Sequence, residues 1–514
     1  MVTRSAGVLI PLFSLRTRHS LGRGEILDLA PMIDFALAMG CSVIQLLPLD
    51  ETGPDEQSPY SALSVNAIDP MYISISNLGG VGRVVRARAR GAVGSGRVVP
   101  RATVRREKLA LLERAYRATR ARAGHDESGD LAAFIAANAY WLDDYALFRA
   151  LKERFEWANW DSWLTELVRR EPDALAAARR ELADQIAMYQ YWQFIAHRQW
   201  SAMRAYAASR GARIGGDLAF SPCRESAEVW ANQDDFNLTR TVGAPPDDFN
   251  RTGQRWGLPL PNWERMRGNG FKLLRARVRH ASSLYDLIRV DHVVGLYRTF
   301  NFGADPEAHG IFTPADENQQ RTQGEEIMRT IKEQAGAAEI IAEDLGTVPP
   351  WVRESLTHLG VPGYKVMQWE RNWNAPDAPF LSPASYPELS LCTTGTHDTE
   401  SLTTWWREQQ VPEREKLMRA LGIVDKVNAR AMLDESALDA ILAALYAAPS
   451  HLVIIPIQDL FGWSARINRP GIVTDSNWTY RLPMNLERLR RSRAIQSRAA
   501  KLRDIAIRGA RFNS

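Results

Sequence analysis

The chain has 514 residues, of which 45% are hydrophobic and 24% are charged, and its formal net charge is +4. This composition is typical of a globular protein with a large core and excludes disordered and fibrous classes. The small net charge gives no basis for a nucleic-acid partner, and the sequence contains no run of about 18 apolar residues that could span a membrane.

Short apolar runs, most of which end in a polar or charged residue, predict eight β-strands along the chain. In chain order they are GVLIPL (7–12), SVIQLLPLD (42–50), ARIGGDLAF (212–220), LYDLIRVDH (284–292), AAEIIAEDLG (337–346), GYKVMQWE (363–370), LSLCTTGTHD (389–398) and HLVIIPIQDL (451–460). Helical stretches precede several of these runs, and strands that alternate with helices predict an α/β fold, a (β/α)8 TIM barrel. The chain is roughly twice as long as the ~250 residues typical of that fold, so large, mainly helical insertions between barrel strands must hold the remainder.

The longest interval between predicted strands separates the second run from the third. Apolar residues recur there at helical spacing, and we predict a helical insertion subdomain over residues 83–210 within a single catalytic domain that covers residues 1–514. Its aromatic stripe is predicted to pack in a core, with a sugar-binding platform as the alternative. The arginine-rich stretch between Arg83 and Arg122 is predicted to be a solvated face, with an anionic partner as the alternative.

Carboxylic acids stand at the ends of three predicted strands. Asp291 ends the fourth strand, Glu343 the fifth and Asp398 the seventh. Because barrel enzymes carry their chemistry at the C-terminal ends of the strands, we expect these acids to meet at one mouth. A divalent metal ion held by the acids with His292 and His397 is an alternative, but no HExxH or calcium-loop spacing is present, so no metal is predicted.

Two close carboxylates suit glycoside chemistry, in which one attacks the anomeric carbon and the other protonates the leaving oxygen. Residues two apart in a strand share a face, so Arg289 is expected beside Asp291, where it favours the ionised carboxylate of a nucleophile. Glu343 has only Ile341 as a same-face neighbour, and a desolvated Glu without a cationic partner fits the general acid. Asp398 is the candidate for stabilising developing positive charge.

Motifs from one end of the chain to the other support this interpretation. They are QLLPL (45–49), SPYSALSVNAIDPMYI (58–73), GDLAF (216–220), SAEVWANQDDFNL (226–238), VGAPPDDFN (242–250), GQRWGLPLPNW (253–263), RVDHVVGL (289–296), IAEDLG (341–346), GTHD (395–398), PIQDLFG (456–462), RINRPGIV (466–473) and NWTYRLP (477–483). Together they resemble the amylomaltases or 4-α-glucanotransferases, family 77 of the glycoside hydrolases. The resemblance implies a retaining α-glucan transferase with Asp291 as nucleophile, Glu343 as acid/base and Asp398 as transition-state stabiliser.

The resemblance also implies a set of substrate-binding residues. Those expected to contact the sugar beside the cleaved bond are Tyr60, Asp217, Arg289, His292 and His397. Segment 242–256 would form a loop over the cleft, with Phe249 and Trp256 as apolar platforms. The alternatives are that Asp217 caps a turn and that Trp256 is buried in the core.

The chain departs from the family pattern in two places. Val293-Val294 stands where the family usually has Phe-Arg after the nucleophile motif, and Thr399-Glu400 stands where it usually has Asn-Asp after THD. Neither departure touches the three acids. Both are expected to bear on the acceptor site and on substrate length.

Three classes of function remain at this stage. A transferase passes the glycosyl-enzyme to the 4-hydroxyl of glucose or a maltooligosaccharide, a hydrolase passes it to water, and a non-catalytic glucan-binding protein does neither. The complete set of acids argues against the third class, and the resemblance favours the first. No cofactor is expected, and the oligomeric state is not indicated. Cys41, Cys223 and Cys392 are odd in number, far apart and beside apolar runs, which favours reduced thiols and the cytoplasm.

Overall fold

The computed structural model describes residues 4–78, 101–121, 127–246, 253–305, 309–472 and 474–512. In these residues the strands are β1 (Ser5–Leu9), β2 (Val43–Gln45), β3 (Asp50–Thr52), β4 (Ala62–Ile68), β5 (Arg213–Leu218), β6 (Phe236–Ala244), β7 (Gln254–Pro261), β8 (Leu287–Val290), β9 (Thr299–Phe302), β10 (Ile311–Thr313), β11 (Glu339–Ala342), β12 (Gly363–Val366), β13 (Ser390–Thr393) and β14 (Leu452–Pro456). The α-helices are Leu29–Ala38, Arg101–Arg120, Glu127–Arg154, Thr165–Val168, Pro172–Glu181, Ala183–Ser209, Ala227–Ala231, Trp263–Gly268, Lys272–Leu284, Val294–Tyr297, Glu317–Ala335, Pro350–His358, Leu402–Glu408, Val411–Leu421, Glu435–Ala447, Ile457–Phe461, Leu486–Leu489 and Arg493–Arg508.

Eight parallel strands form the central barrel. Their order is β11-β8-β5-β2-β1-β14-β13-β12, and each of the eight predicted apolar runs overlaps one of them. The backbone N–H of Ala342 at the end of β11 donates to the carbonyl oxygen of Pro362 before β12 at 2.9 Å, which links the two outer strands. The predicted (β/α)8 barrel is confirmed.

Several helices begin at side-chain caps that the sequence provides. Asp316, Ser401 and Asp434 accept a hydrogen bond from the backbone N–H three residues further on, at 2.9, 3.3 and 2.8 Å respectively. Such caps satisfy N–H groups that have no partner inside the helix. None of the helices in the described ranges combines the length and hydropathy that a membrane crossing needs.

In its described residues, the interval between β4 and β5 consists of helices joined by short turns and contains no strand. Its aromatic residues Tyr189 and Trp192 are buried, so the stripe packs in a core, as predicted. Lys108 joins helix Arg101–Arg120 to the segment that follows β1, because its buried Nζ lies 2.8 Å from Glu25 Oε1. The same Nζ donates to the carbonyl oxygen of Met71. Residues 83–100, with the first part of the arginine-rich stretch, lie outside the described residues, and the subdomain boundaries stay a prediction.

A second sheet, which the sequence analysis did not predict, stands beside the barrel mouth. It is antiparallel with the order β10-β9-β6-β7. Both ends of the expected loop 242–256 lie in paired strands, since β6 extends to Ala244 and β7 starts at Gln254, and residues 247–252 lie outside the described residues. A Cβ at Gly243 would overlap the carbonyl oxygen of Gln254, so only glycine allows the two strands to approach so closely there.

Candidate active site

Arg289 lies at the centre of the site, and its side chain is only 4% exposed. Its Nη1 donates to both carboxylate oxygens of Asp217, at 2.7 and 2.6 Å, and lies 3.0 Å from Asp291 Oδ1. Its Nη2 lies 3.2 Å from Glu343 Oε1. Because β8 runs between β5 and β11, one planar guanidinium fixes three carboxylates that come from three neighbouring strands.

The contacts of Glu343 correct one prediction. The sequence analysis gave Glu343 no cationic partner, which is wrong, because Arg289 reaches it from the adjacent strand. Its Oε2 also accepts the backbone N–H of His292 at 2.7 Å. Burial nevertheless raises the pKa of Glu343 to about 8, and the charge of Asp291 adds to this effect, whereas Arg289 opposes it. Glu343 is therefore mainly protonated at neutral pH, as a general acid must be.

His292 occupies a strained turn directly after Asp291. Its φ of 44° lies in the left-handed region that residues with a side chain rarely adopt. The ring is held edge-on by Trp256 and Phe220, at centroid distances of 4.7 and 5.6 Å. Burial lowers the pKa of His292 to about 4, so the ring is neutral at neutral pH. The same turn directs the backbone N–H of His292 towards the carboxylate of Glu343, which accepts its hydrogen bond.

Three residues predicted to contact sugar form one wall of the site. The hydroxyl of Tyr60 donates to Asp217 Oδ2 at 2.7 Å and lies 3.1 Å from His397 Nε2. The rings of Tyr60 and His397 stack at a centroid distance of 5.5 Å, and Trp478 packs against both of them. The carboxylate oxygens of Asp217 therefore accept hydrogen bonds from Arg289 and Tyr60 inside the site. These bonds do not support the alternative that Asp217 caps a turn.

Asp398 is held by residues to which the sequence analysis gave no role. Asn468 Nδ2 donates to Asp398 Oδ1 at 2.6 Å, and Arg466 Nη2 donates to the backbone carbonyl oxygen of Asp398. Arg466 Nη1 also lies 3.4 Å from Glu400 Oε2. Both residues lie in the RINRPGIV motif, where polar side chains in a Pro- and Gly-containing loop are a signal that could have identified them.

The positions that depart from the family pattern have structural roles. Val293 is fully buried and Val294 nearly so, which places both in the core behind the site. Thr399 Oγ1 accepts the backbone N–H of Thr396 at 3.0 Å and donates to the carbonyl oxygen of the same residue, which closes the turn that contains His397 and Asp398. Glu400 forms the ion pair with Arg466 described above.

A cavity of about 910 Å³ opens beside these side chains. It is lined by residues of segments 55–58, 468–472 and 474–478 and by residues 253–256 at the start of β7. Trp256 lines it while it contacts the His292 ring, so the cavity adjoins the candidate site. The Trp256 side chain is half-buried and also packs against the hydrophobic core, so both predicted roles stay open. Phe249 lies outside the described residues.

The comparisons with known proteins agree with this geometry. The sequence profile described as 4-alpha-glucanotransferase matches residues 10–486. The chain belongs to the 4-alpha-glucanotransferase family. It is 32% identical over 502 residues to the 4-alpha-glucanotransferase of Chlamydia pneumoniae, which aligns 94% of this chain and 92% of that protein. It is 34% identical over 451 residues to the 4-alpha-glucanotransferase of Thermus thermophilus, which aligns 85% of this chain and 87% of that protein.

The solved structures show the same relationship. The amylomaltase from Streptococcus agalactiae in complex with acarbose superposes with a TM-score of 0.86 and 27% identity, over 99% of this chain and 100% of that one. The predicted family is confirmed, and the predicted class of enzyme, a 4-alpha-glucanotransferase, is confirmed with it. The alternatives of a hydrolase and of a non-catalytic binding protein are not favoured.

The pKa of Glu343 predicts the alkaline side of the activity profile of this 4-alpha-glucanotransferase. If Glu343 is the acid, as the sequence analysis expects, its protonated form supplies the proton for bond cleavage and is lost as the pH rises through about 8. We expect kcat/KM for maltotriose to fall about tenfold for each pH unit above that value. With α-glucosyl fluoride, whose leaving group needs no proton, formation of the glycosyl-enzyme should not show this fall. An identical alkaline limb for glycosyl-enzyme formation from both donors would contradict the assignment of Glu343 as the acid.

Proposed function

We propose that the chain cuts an α-1,4-glucan and transfers the released segment to the 4-hydroxyl of glucose or a maltooligosaccharide by a double displacement. The observation that supports this proposal most directly is the placement of Asp291 and Glu343 on the two nitrogens of one buried guanidinium. The two carboxyl groups therefore lie side by side on the same guanidinium, and burial keeps Glu343 largely protonated, which suits the nucleophile and acid of a retaining enzyme.

In the first step, Asp291 attacks the anomeric carbon and Glu343 gives its proton to the departing glycosidic oxygen, so the C–O bond breaks as an ester bond forms. In the second step, Glu343, now ionised, takes the proton from the acceptor hydroxyl, which attacks the anomeric carbon and releases Asp291. Both steps pass through developing positive charge at the sugar ring. The Asp398 side chain is 34% exposed, and a hydrogen bond from Asn468 fixes its direction. We assign Asp398 to stabilise that charge.

The wall formed by Tyr60, Asp217 and His397 is proposed to bind the sugar next to the cleaved bond, together with Arg289 and His292. Neutral His292 can donate to a sugar hydroxyl without placing a second cation beside Arg289. We further propose a reducing, cytoplasmic compartment, because the three cysteines are free thiols and two of them are buried.

Incubation with maltotriose tests the proposed function. Transfer produces a ladder of longer and shorter oligosaccharides together with glucose, because the same molecule serves as donor and acceptor. Reducing sugar without longer products would instead establish a hydrolase. Unchanged maltotriose would leave only a binding function.

The second prediction concerns Trp256. Its ring lies between the cavity and His292, where an acceptor sugar must pack and water must be excluded. Trp256→Ala should therefore raise the ratio of hydrolysis to transfer several-fold, measured as free glucose equivalents against longer oligosaccharides. Trp463→Ala, at a half-buried Trp that stacks on Phe461, is the control. Equal ratios of hydrolysis to transfer in both variants and in the wild type would mean that Trp256 has only a structural role. The same measurement applies to Phe249→Ala.

The third prediction is that activity does not depend on a metal ion. The proposed reaction uses carboxylic acids alone, and in the residues that the structure describes no group of three His, Cys, Asp or Glu is arranged to hold a metal. We expect full transferase activity after exhaustive treatment with a chelator. Loss of activity that one divalent ion restores would contradict the prediction.

A further inference from the structure

Two exposed tryptophans lie in one segment at the barrel mouth, outside the site described above. Trp373 is 71% exposed, more than any other large hydrophobic side chain in the described ranges, and Trp369 is 44% exposed. Leu381, which returns along the same segment, is 37% exposed. A single exposed apolar residue needs no explanation, but two exposed tryptophans within five residues, here called the patch, are typical of a binding surface.

The patch stands on a rigid support. Segment 367–382 folds back on itself, because Asn372 N–H donates to the Pro379 carbonyl oxygen and Leu381 N–H donates to the Glu370 carbonyl oxygen, at 2.9 and 2.8 Å. A Trp side chain on such a short hairpin loses little conformational freedom when a ligand binds.

Arg371 anchors this hairpin to the neighbouring helix. Its Nη2 lies 2.8 Å from Glu413 Oε2 on helix Val411–Leu421, and its guanidinium covers the ring of Phe380 at 3.7 Å. The same guanidinium lies 5.8 Å from the centroid of the Trp373 ring. The Trp373 side chain is therefore held from one side while most of its surface faces solvent.

The segment is continuous with the catalytic mouth. It starts at the C-terminal end of β12, and the buried Gln368 lies against Gly395 in the turn that leads to Asp398, since a Cβ at Gly395 would be 3.5 Å from Gln368 Nε2. Four residues lie between Gln368 and Trp373, so the five Cα–Cα steps that join them span at most about 18 Å. A glucan chain of several sugar units that leaves the catalytic residues can cover this distance.

We propose that Trp373, together with Trp369, is an outer platform that binds an α-glucan chain several glucosyl units away from the cleaved bond. The apolar face of a glucosyl ring packs on an indole, while its hydroxyl groups stay in water, so an exposed and fixed aromatic ring suits this ligand. The platform would make the enzyme prefer long donors to short ones. This inference rests on the proposed function, because it takes the ligand to be the α-glucan on which the catalytic acids act.

The test compares a long donor with a short one. For Trp373→Ala, kcat/KM with amylose as donor and glucose as acceptor should fall about tenfold relative to the wild type, mainly through KM, as for loss of a central aromatic contact. Maltotriose is too short to reach the platform, so its kcat/KM should change much less. Trp373→Phe, which keeps an aromatic face, should restore most of the amylose activity, and Trp373→Leu should not. Tyr140→Ala, at another exposed aromatic residue, is the control and should not alter the ratio between the two donors.

Several outcomes would overturn the platform. One is an equal change with both donors in Trp373→Ala, and another is full rescue by Trp373→Leu. A change in molecular mass by light scattering, with the donor ratio intact, would assign the patch to a protein interface. Native gels containing amylose separate this inference from the proposed function, because slower migration of the wild type than of Trp373→Ala reports binding without turnover. Absence of any maltotriose ladder from the wild type would refute the proposed function, whereas equal migration in the gels would refute the platform.

Discussion

Replacement of Asp291 by Asn is expected to reduce turnover of every donor by a factor on the order of 10⁴ or more, because Asp291 is the group that we propose forms the glycosyl-enzyme. The loss should extend to α-glucosyl fluoride, which leaves without a proton. Glu343→Gln removes the proton donor and later the base, but it keeps the nucleophile. With the fluoride, this variant should therefore form a covalent adduct on Asp291 that accumulates, since its discharge lacks the base.

Intact-protein mass spectrometry after mixing with the fluoride reads this difference directly. The Glu343→Gln variant should gain the mass of one glucosyl group, and peptide mapping should place it on Asp291, whereas Asp291→Asn should gain none. Asp344→Asn is the matched control, because Asp344 follows Glu343 in the chain but bonds Arg353 and the backbone N–H of Tyr364. An adduct on another carboxylate would refute the assignment of roles, and products with inverted stereochemistry would exclude a double displacement.

Arg289→Lys is expected to lower kcat about 100-fold although the positive charge is retained. The guanidinium contacts Asp217, Asp291 and Glu343 at once, through nitrogens held in a fixed plane. A lysine ammonium is a single point and cannot fix all three carboxylates, and a displacement of about 1 Å at reacting groups costs on the order of 10²-fold in rate.

Steady-state kinetics with maltotriose measures the effect, and circular dichroism confirms that the variant folds. Arg353→Lys is the control, because this half-exposed arginine also pairs with a carboxylate, that of Asp344, but on the side away from the cleft. We expect Arg353→Lys to change kcat less than twofold. Equal effects of the two substitutions would mean that Arg289 acts only as a structural charge.

The acids at the strand ends could be predicted from the sequence because they depend only on the local order of apolar and charged residues. An apolar run of β-branched residues followed by an acid identifies Asp291 and Glu343 without knowledge of the rest of the fold. The contact between Arg289 and Glu343 could not be found in this way. It depends on β11 lying next to β8 in register, so that Ile341 pairs with Arg289, and on a long side chain that reaches across to the neighbouring strand.

The second sheet and the support of Asp398 were missed for related reasons. The hairpin of β6 and β7 contains prolines and glycines, which predict a loop when only the local sequence is considered. Its pairing with β9 joins segments that are far apart in the sequence. Asn468 lies 70 residues after Asp398, and no periodicity within a short window connects them. Tertiary contacts of this kind follow only once the order of the strands is known.

The pairing of β1 with β14 has a consequence for how the protein is made. β1 is flanked by β2, which is synthesised soon after it, and by β14, which is synthesised only after most of the other residues. A ribosome releases the chain from its N-terminus, so one edge of β1 stays uncovered during most of translation, and an uncovered edge invites pairing with other chains. Contacts of such large sequence separation also form slowly. We therefore expect nascent chains that end before Leu452 to aggregate or to be bound by chaperones, and the barrel to close only when the last strand has left the ribosome.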